Sequence, residues 1–404
     1  MGDTLKTLSG VVVIAFVAAT ADAQITEPDS TSARINIGPV QMNPSIDLNQ
    51  LGLDTNVFND PEGEAKQDFT FTLSPKADVW MKFGPTWITG SVREDFVWYQ
   101  TYSTERAANN LDAVNWIVPL NRLRFSVGAN YVNARDRPGF EIDTRVRHQD
   151  VQLNGAAEVR AFSRIFIGAR ANRLRVDFAD DATYDETSLR VELNRVTTGG
   201  AIITRYELTP LTSISVDAGR TQDRFEFSPI RDANSTTAGV QVTFDPSALI
   251  RGTARVGYRN FDPLSPDVPA YRGTTAAVDL SYVLLGTTKF GVQVTRDVQF
   301  SYDVTQPYYV QSGVSASIAQ QIYGPVDAVA GGGLYSLAYR DEIGAAVPYA
   351  DRTDRDRFYS GGVGYHMGKD LRVGVNVQRQ WRLSEVTSRA YSGFKLGMSV
   401  TYGT

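Results

Sequence analysis

From about residue 45 to the C-terminus, apolar and polar residues alternate in runs separated by tight turns. The last run is representative: Phe394, Leu396, Met398, Val400 and Tyr402 alternate with Lys395, Gly397, Ser399 and Thr401. Successive side chains of a strand point to opposite faces, so such a run has one apolar and one polar face. The alternation breaks at tight turns centred near 84, 121, 163, 210, 247, 285, 324 and 369, at intervals of 37 to 47 residues. Each interval holds two strands and one longer polar connection, such as 136–144, 179–185, 262–270 and 341–352. The pattern predicts an all-β, antiparallel up-and-down meander of 18 strands, with 16 as the alternative.

An apolar face on nearly every strand needs an apolar solvent. Closing the meander into a transmembrane β-barrel supplies lipid for that face and removes the sheet edges that hydrocarbon does not tolerate. The short turns then belong to the periplasm and the longer connections to the exterior. Runs of 13–17 residues exceed the roughly 9–11 that span a bilayer, so the wall is expected to extend beyond it on the outer side. With 16–18 strands the barrel is wide enough for an aqueous channel.

Residues 186–208 are the irregular stretch. Leu189, Val191 and Leu193 share one phase, whereas Ile202, Thr204, Tyr206 and Leu208 share the other. A β-bulge near Thr197, Thr198, Gly199 and Gly200 would let one long strand change phase. No connection has the length expected of a constriction loop folded into the pore.

Composition agrees with a barrel. Mean hydropathy of −0.24 and 42% hydrophobic residues look soluble, but only half of each strand would meet lipid. The 19 Tyr, 19 Phe and 5 Trp are an ample supply for interfacial girdles. The absence of Cys excludes thiolate metal sites and Cys nucleophiles. The start reads as a secretory leader: Lys6, an apolar stretch over 8–19, and Ala21-Asp22-Ala23 as a small-x-small cleavage site. The expected organisation is therefore a signal peptide at 1–23, a short periplasmic segment at 24–44 and a barrel at 45–404. The expected location is the bacterial outer membrane.

Parity assigns the polar face to the lumen. It places Arg124, Arg160, Arg170, Arg190, Glu192, Arg251, Arg255, Arg259, Asp279, Lys289, Asp297, Arg372 and Arg382 there as candidate substrate-contacting residues. Glu94 and Arg296 fall on the lipid face and are expected near a rim. Only seven of the 40 basic residues are Lys, leaving 33 Arg. Arg makes planar, multidentate bonds to carboxylates, phosphates and sugar hydroxyls. An Arg-rich wall interleaved with Asp and Glu either binds a polar or anionic substrate or braces the barrel through internal ion pairs. His148 and His366 have no Ser motif beside them, and no P-loop, dinucleotide fingerprint or metal-ligand spacing is present. Catalysis, cofactors, metals and nucleic acid are accordingly not expected.

The first hairpin resembles the putative β-barrel porin 2 family. The resemblance rests on 46–58, where an Asp-x-Asn element (Asp54, Asn56) closes the opening strand. It rests also on Asp68, Phe69, Phe71, Leu73 and Pro75 in the second. Beyond these it continues as a pattern of hairpins. Unlike the usual barrel ending, Tyr402 is followed by Gly403 and Thr404. The resemblance implies a passive conduit of the kind that serves exopolysaccharide export with a periplasmic apparatus. The expected function is export of a polar polymer through an Arg-rich lumen, in contact with outer-membrane lipid and lipopolysaccharide. A nutrient porin passing small polar solutes and a structural or adhesive barrel are the alternatives.

Overall fold

The computed structural model describes residues 33–246 and 248–403. The expected leader and residues 24–32 lie outside them. Eighteen antiparallel strands close into one barrel. In chain order they are β1 Val40–Asp54, β2 Asp68–Phe83, β3 Thr86–Tyr99, β4 Ala107–Pro119, β5 Leu123–Asp136 and β6 Val146–Arg160. β7 Ile165–Phe178, β8 Arg195–Thr209, β9 Thr212–Phe225, β10 Ala233–Phe244, β11 Ile250–Pro263 and β12 Tyr271–Leu284 follow. β13 Thr288–Phe300, β14 Tyr308–Tyr323, β15 Val326–Arg340, β16 Thr353–Met367, β17 Leu371–Leu383 and β18 Tyr391–Tyr402 complete the ring. All eight tight turns fall where the alternation breaks.

Closure joins β18 to β1, with Ile46 opposite Tyr402 and Asp54 opposite Lys395. A 3.0 Å ion pair between Lys395 and Asp54 fastens the outer end of that seam. The seam carries a bulge between Leu48 and Leu51, with Gln50 at φ 55°. The apolar phase is exposed as expected: Val127, Leu153, Val216, Val256, Leu334 and Val363 all present their side chains to the outside.

Three expectations change. The first strand starts at Val40, and Ile35–Ile37 folds back on its first residues. Residues 40–44 are therefore wall, not a lead-in. The bulge expected near 197–200 is absent, because β8 runs in unbroken register with β7 from Arg195 to Tyr206. Leu189–Leu193 is instead a short helix, α1, with Leu189 and Leu193 buried. Two residues four apart share one helix face, which is why the run looked like a strand out of phase.

The third change concerns the outer end. Pairing of β12 with β13 stops at Ala276 and Arg296. Pairing of β13 with β14 continues to Phe300 and Tyr308. Above Arg296 this hairpin therefore leaves the wall and bends over the lumen. Phe300 packs 4.7 Å from Phe225, and Tyr308 packs 4.9 Å from Phe261, ring centre to ring centre. Phe225 and Phe261 share the inward parity of Asp217 and Arg255. The apolar core sits here, where the outer connections meet, and includes Ile142, Phe178, Leu189, Tyr302, Phe261, Val298, Leu337 and Tyr339.

Candidate functional site: the lumen and its outer constriction

The constriction is assembled from several short connections. The tip of the β13–β14 hairpin, 301–307, meets the β5–β6 connection, 137–145. Ser301 Oγ donates to Glu141 Oε1 at 2.6 Å, and the Tyr302 N–H donates to Oε2 at 3.2 Å. Glu141 is only 2% exposed, and burial pushes its carboxyl above the usual carboxylate range.

Arg389, on the β17–β18 connection, locks the same point. It donates to Asp354 at 3.0 Å, to the Tyr302 hydroxyl at 2.9 Å and to the Glu141 carbonyl at 2.9 Å. Arg231, from the β9–β10 connection, donates to the Asp303 carbonyl at 2.8 Å and pairs with Glu192. Asp143 gathers Asn59 at 3.0 Å, the Tyr184 hydroxyl at 3.1 Å and Arg382. Six outer connections are thus cross-braced over the lumen. A buried and satisfied network of this kind rigidifies what it joins, because an unpaired polar group there is costly.

Below the constriction the inner wall carries arginines matched to carboxylates. Asp217 accepts from Arg255 at 3.1 and 2.8 Å and from Arg170 at 3.3 Å. Arg259 reaches Asp297 at 2.9 Å and Ser235. Asp327 accepts from Arg372 at 2.7 and 2.6 Å and lies 2.6 Å from His366. Arg382 reaches Asp356 at 2.9 Å. Arg124 lies 3.8 Å from Glu207 and over the Phe166 ring. Arg160 faces the same ring, with its Nε buried and without a hydrogen-bond partner. Arg251 is exposed and donates to the Ala248 carbonyl. Lys289 and Asp279 line a concavity with Gln293, Ser315, Ser317 and Ser360.

Two sequence candidates move. Arg190 and Glu192 are on α1, not on the wall; Arg190 pairs with Asp180 and Glu192 with Ser228 and Arg231. The cause is the helix in place of the expected strand. Glu94 and Arg296 keep the outward phase and find polar neighbours, Asn110 and Ser312. His148, set between Asp136 and Asp150, lies at the outer end of β6. Among the described residues no group of His, Asp and Glu could hold a metal ion.

Sequence reading missed Arg205, which is fully buried between Glu158 at 2.8 Å and Glu207 at 3.0 Å, above Phe166. Its opposite phase to Ile202, Thr204 and Tyr206 was the available signal. Glu141, Asp143, Arg231 and Arg389 were missed because they lie on connections, where no periodicity marks direction. The inward bend had one sign: Tyr308, Tyr309 and Val310 are consecutive and apolar, as in a segment buried on both faces.

A closed barrel of matched hairpins with a braced lumen agrees with a sequence-family match over residues 31–403 to Putative beta-barrel porin 2. The chain belongs to that family. Among solved structures, this porin-family chain is similar to a BenF-like porin from Pseudomonas fluorescens Pf-5. Identity is 11%, the TM-score is 0.50, and coverage is 91% of this chain and 98% of the other. OccK1 (OpdK) from Pseudomonas aeruginosa aligns at 10% identity and a TM-score of 0.48, over 89% and 98% of the two chains. At these identities the likeness is one of fold. No curated protein matches the porin-family chain in sequence. Family and fold are those of outer-membrane channels and place it in the bacterial outer membrane.

Proposed function

We propose that this chain is a channel for small polar solutes whose outer mouth is narrowed by the β13–β14 hairpin. The observation that carries this reading is the joining of Ser301 and Glu141 over the lumen, with Arg389 and Arg231 holding the same hairpin tip. A passage for a bulky polymer gains nothing from such a barrier, whereas a solute channel gains size selection. The polymer-export expectation leaned on the absence of any connection folded into the pore, and that premise does not hold. Neither the family nor the similar structures support export.

In this reading a solute meets paired groups. Arg170, Arg255, Arg259 and Arg372 each share a carboxylate. The wall then offers alternating donors and acceptors for hydroxyls and carboxylates without strong charge selection. Arg251 and Lys289, near the inner mouth, are the less neutralised cations.

The test is conductance of the folded barrel in a planar bilayer, with small sugars, small carboxylates and polysaccharide fragments added in turn. Modest conductance reduced by small solutes supports the proposal. Deleting 302–306 should enlarge the conductance. Block by polymer alone would revive export, and the absence of conductance even in the deletion variant would indicate a structural barrel.

A further inference from the structure

Outward-facing arginines collect at the outer ends of the strands, just beyond the apolar band. Several have protein partners. Arg175 pairs with Asp177, Arg135 with Glu105, Arg272 with Asn260 and Arg296 with Ser312. Arg147, Arg173 and Arg220, on β6, β7 and β9, have no ion-pair partner either; what distinguishes Arg355, Arg357 and Arg379 is that they lie together. They lie on the adjacent strands β16 and β17, near the connections 341–352 and 384–390. No carboxylate of the described residues lies within ion-pair distance of any of the three.

Register brings them together. Arg357 stands opposite Trp381, and Arg379 stands opposite Tyr359, so the two arginines are diagonal neighbours. Arg355 is one step further out on the same face. Diagonal side chains are about 7–8 Å apart, within reach of one shared group. The Tyr359 and Trp381 rings pack 4.8 Å apart between them, with Arg379 at 5.9 Å from the Trp381 ring. Below lie Val363, Tyr365, Val375 and Val377, all exposed to the outside. Every acid of β15 to β18 (Asp327, Asp354 and Asp356) has the inward phase and an inward partner. Glu62 and Glu64, on the β1–β2 connection, line the same concavity as Tyr359, Arg379 and Trp381 without pairing with any of the three, so this quarter carries clustered arginines that no carboxylate of the wall neutralises.

Like charges on adjacent strands repel, and more so beside hydrocarbon than in water. An aromatic pair at the same height marks the membrane–water interface. The three guanidinium groups thus have no paired anion at this depth, and guanidinium groups match phosphate geometry bidentately. We infer that Arg355, Arg357 and Arg379 form a docking surface for the phosphate groups of an outer-leaflet glycolipid. Its sugar rings lie against Tyr359 and Trp381, and its acyl chains run down the apolar face of β16 and β17.

Native mass spectrometry of the full barrel in detergent tests this, with bisphosphorylated lipid A, its dephosphorylated form and phosphatidylglycerol as probes. The folded barrel should retain bisphosphorylated lipid A at least about tenfold better than the dephosphorylated form, as expected for several charge-assisted contacts. It should also prefer lipid A to phosphatidylglycerol. The variant R355Q/R357Q/R379Q should lose this preference, while R355K/R357K/R379K keeps most of it. Unchanged heat-modifiable mobility on gels shows that the variants are folded; if the Gln triple variant does not fold, R357Q/R379Q serves instead. Equal retention by wild type and Gln variant overturns the inference. Displacement of lipid A by millimolar inorganic phosphate would also overturn it, marking a free-anion site.

Discussion

Ser301 donates a 2.6 Å hydrogen bond to the buried carboxylate of Glu141, although the two are 160 residues apart in the chain. They sit on the β13–β14 and β5–β6 connections, eight strands apart round a ring of 18. That bond and its neighbours make the outer mouth one mechanical unit, so removing it should be felt across the pore. In Glu141→Ala, Ser301 and the Tyr302 N–H lose their acceptor. Leaving buried donors unpaired costs about 1–3 kcal/mol, or roughly 5- to 150-fold in an opening equilibrium. Single-channel records should show larger and more frequent openings. Traces matching wild type would mean that the hairpin is not the barrier.

The same carboxylate makes the constriction sensitive to pH. Burial raises the Glu141 carboxyl above its unfolded value, despite the nearby Arg389. A raised acid favours its protonated form in the docked state, so docking is fully supported below the unfolded value, 4.5, and weakens as pH rises through the folded value. Conductance should fall on acidification and rise as pH passes upward through the folded value. Glu141→Gln, which holds the neutral form, should flatten that profile. A Gln variant with the wild-type profile would assign the titration elsewhere.

Charge selection should respond to Asp217. This carboxylate neutralises both Arg170 and Arg255. Asp217→Asn leaves two inward guanidinium groups without a counter-charge. Reversal potentials in a salt gradient should shift toward anion preference, and the shift should shrink at high salt, where screening shortens the reach of each charge. An unmoved reversal potential would place these residues away from the ion path.

Stability of the wall should depend on Arg205. Its guanidinium is fully buried between Glu158 and Glu207. Removing one partner of a buried pair costs about 3–5 kcal/mol, because the remaining charge is left uncompensated. Arg205→Ala should lower the denaturant midpoint of the folded barrel by a corresponding amount, read by loss of heat-modifiable mobility. Arg205→Ala with Glu158→Gln should recover part of that loss.

Barrel closure makes a further demand at the seam. A Cβ on Gly52 would fall 2.0 Å from the Leu396 carbonyl oxygen. The nearest atoms are all backbone of β18, at Leu396 and Gly397, which cannot swing aside as a side chain would, so Gly52→Ala should destabilise the seam by about 1–3 kcal/mol. Reduced folding yield with normal unfolding of the remaining barrels would show that closure is the affected step. Wild-type yield and midpoint would show that the bulge relaxes.

Alternation along the chain determined the architecture. Residues such as Phe394, Leu396 and Met398 against Lys395, Gly397 and Ser399 specify which face meets lipid, and the breaks between runs specify the turns. These are local properties with a period of two, so they survive in one dimension. Parity likewise set the inward direction of Arg170, Arg255, Arg259 and Arg372. What it left open was whether these arginines are free or matched, since the pairing of Arg255 with Asp217 joins strands that are not neighbours. The outer mouth was decided by tertiary structure alone. Glu141, Arg231 and Arg389 lie on connections without periodicity, and their partners are brought together only when the ring closes. The β13–β14 hairpin bends inward because Val298, Phe300, Tyr308 and Val310 bury their outer face against Phe225 and Phe261. That apolar surface has no counterpart nearby in the chain and exists only once β9 to β12 stand beside it.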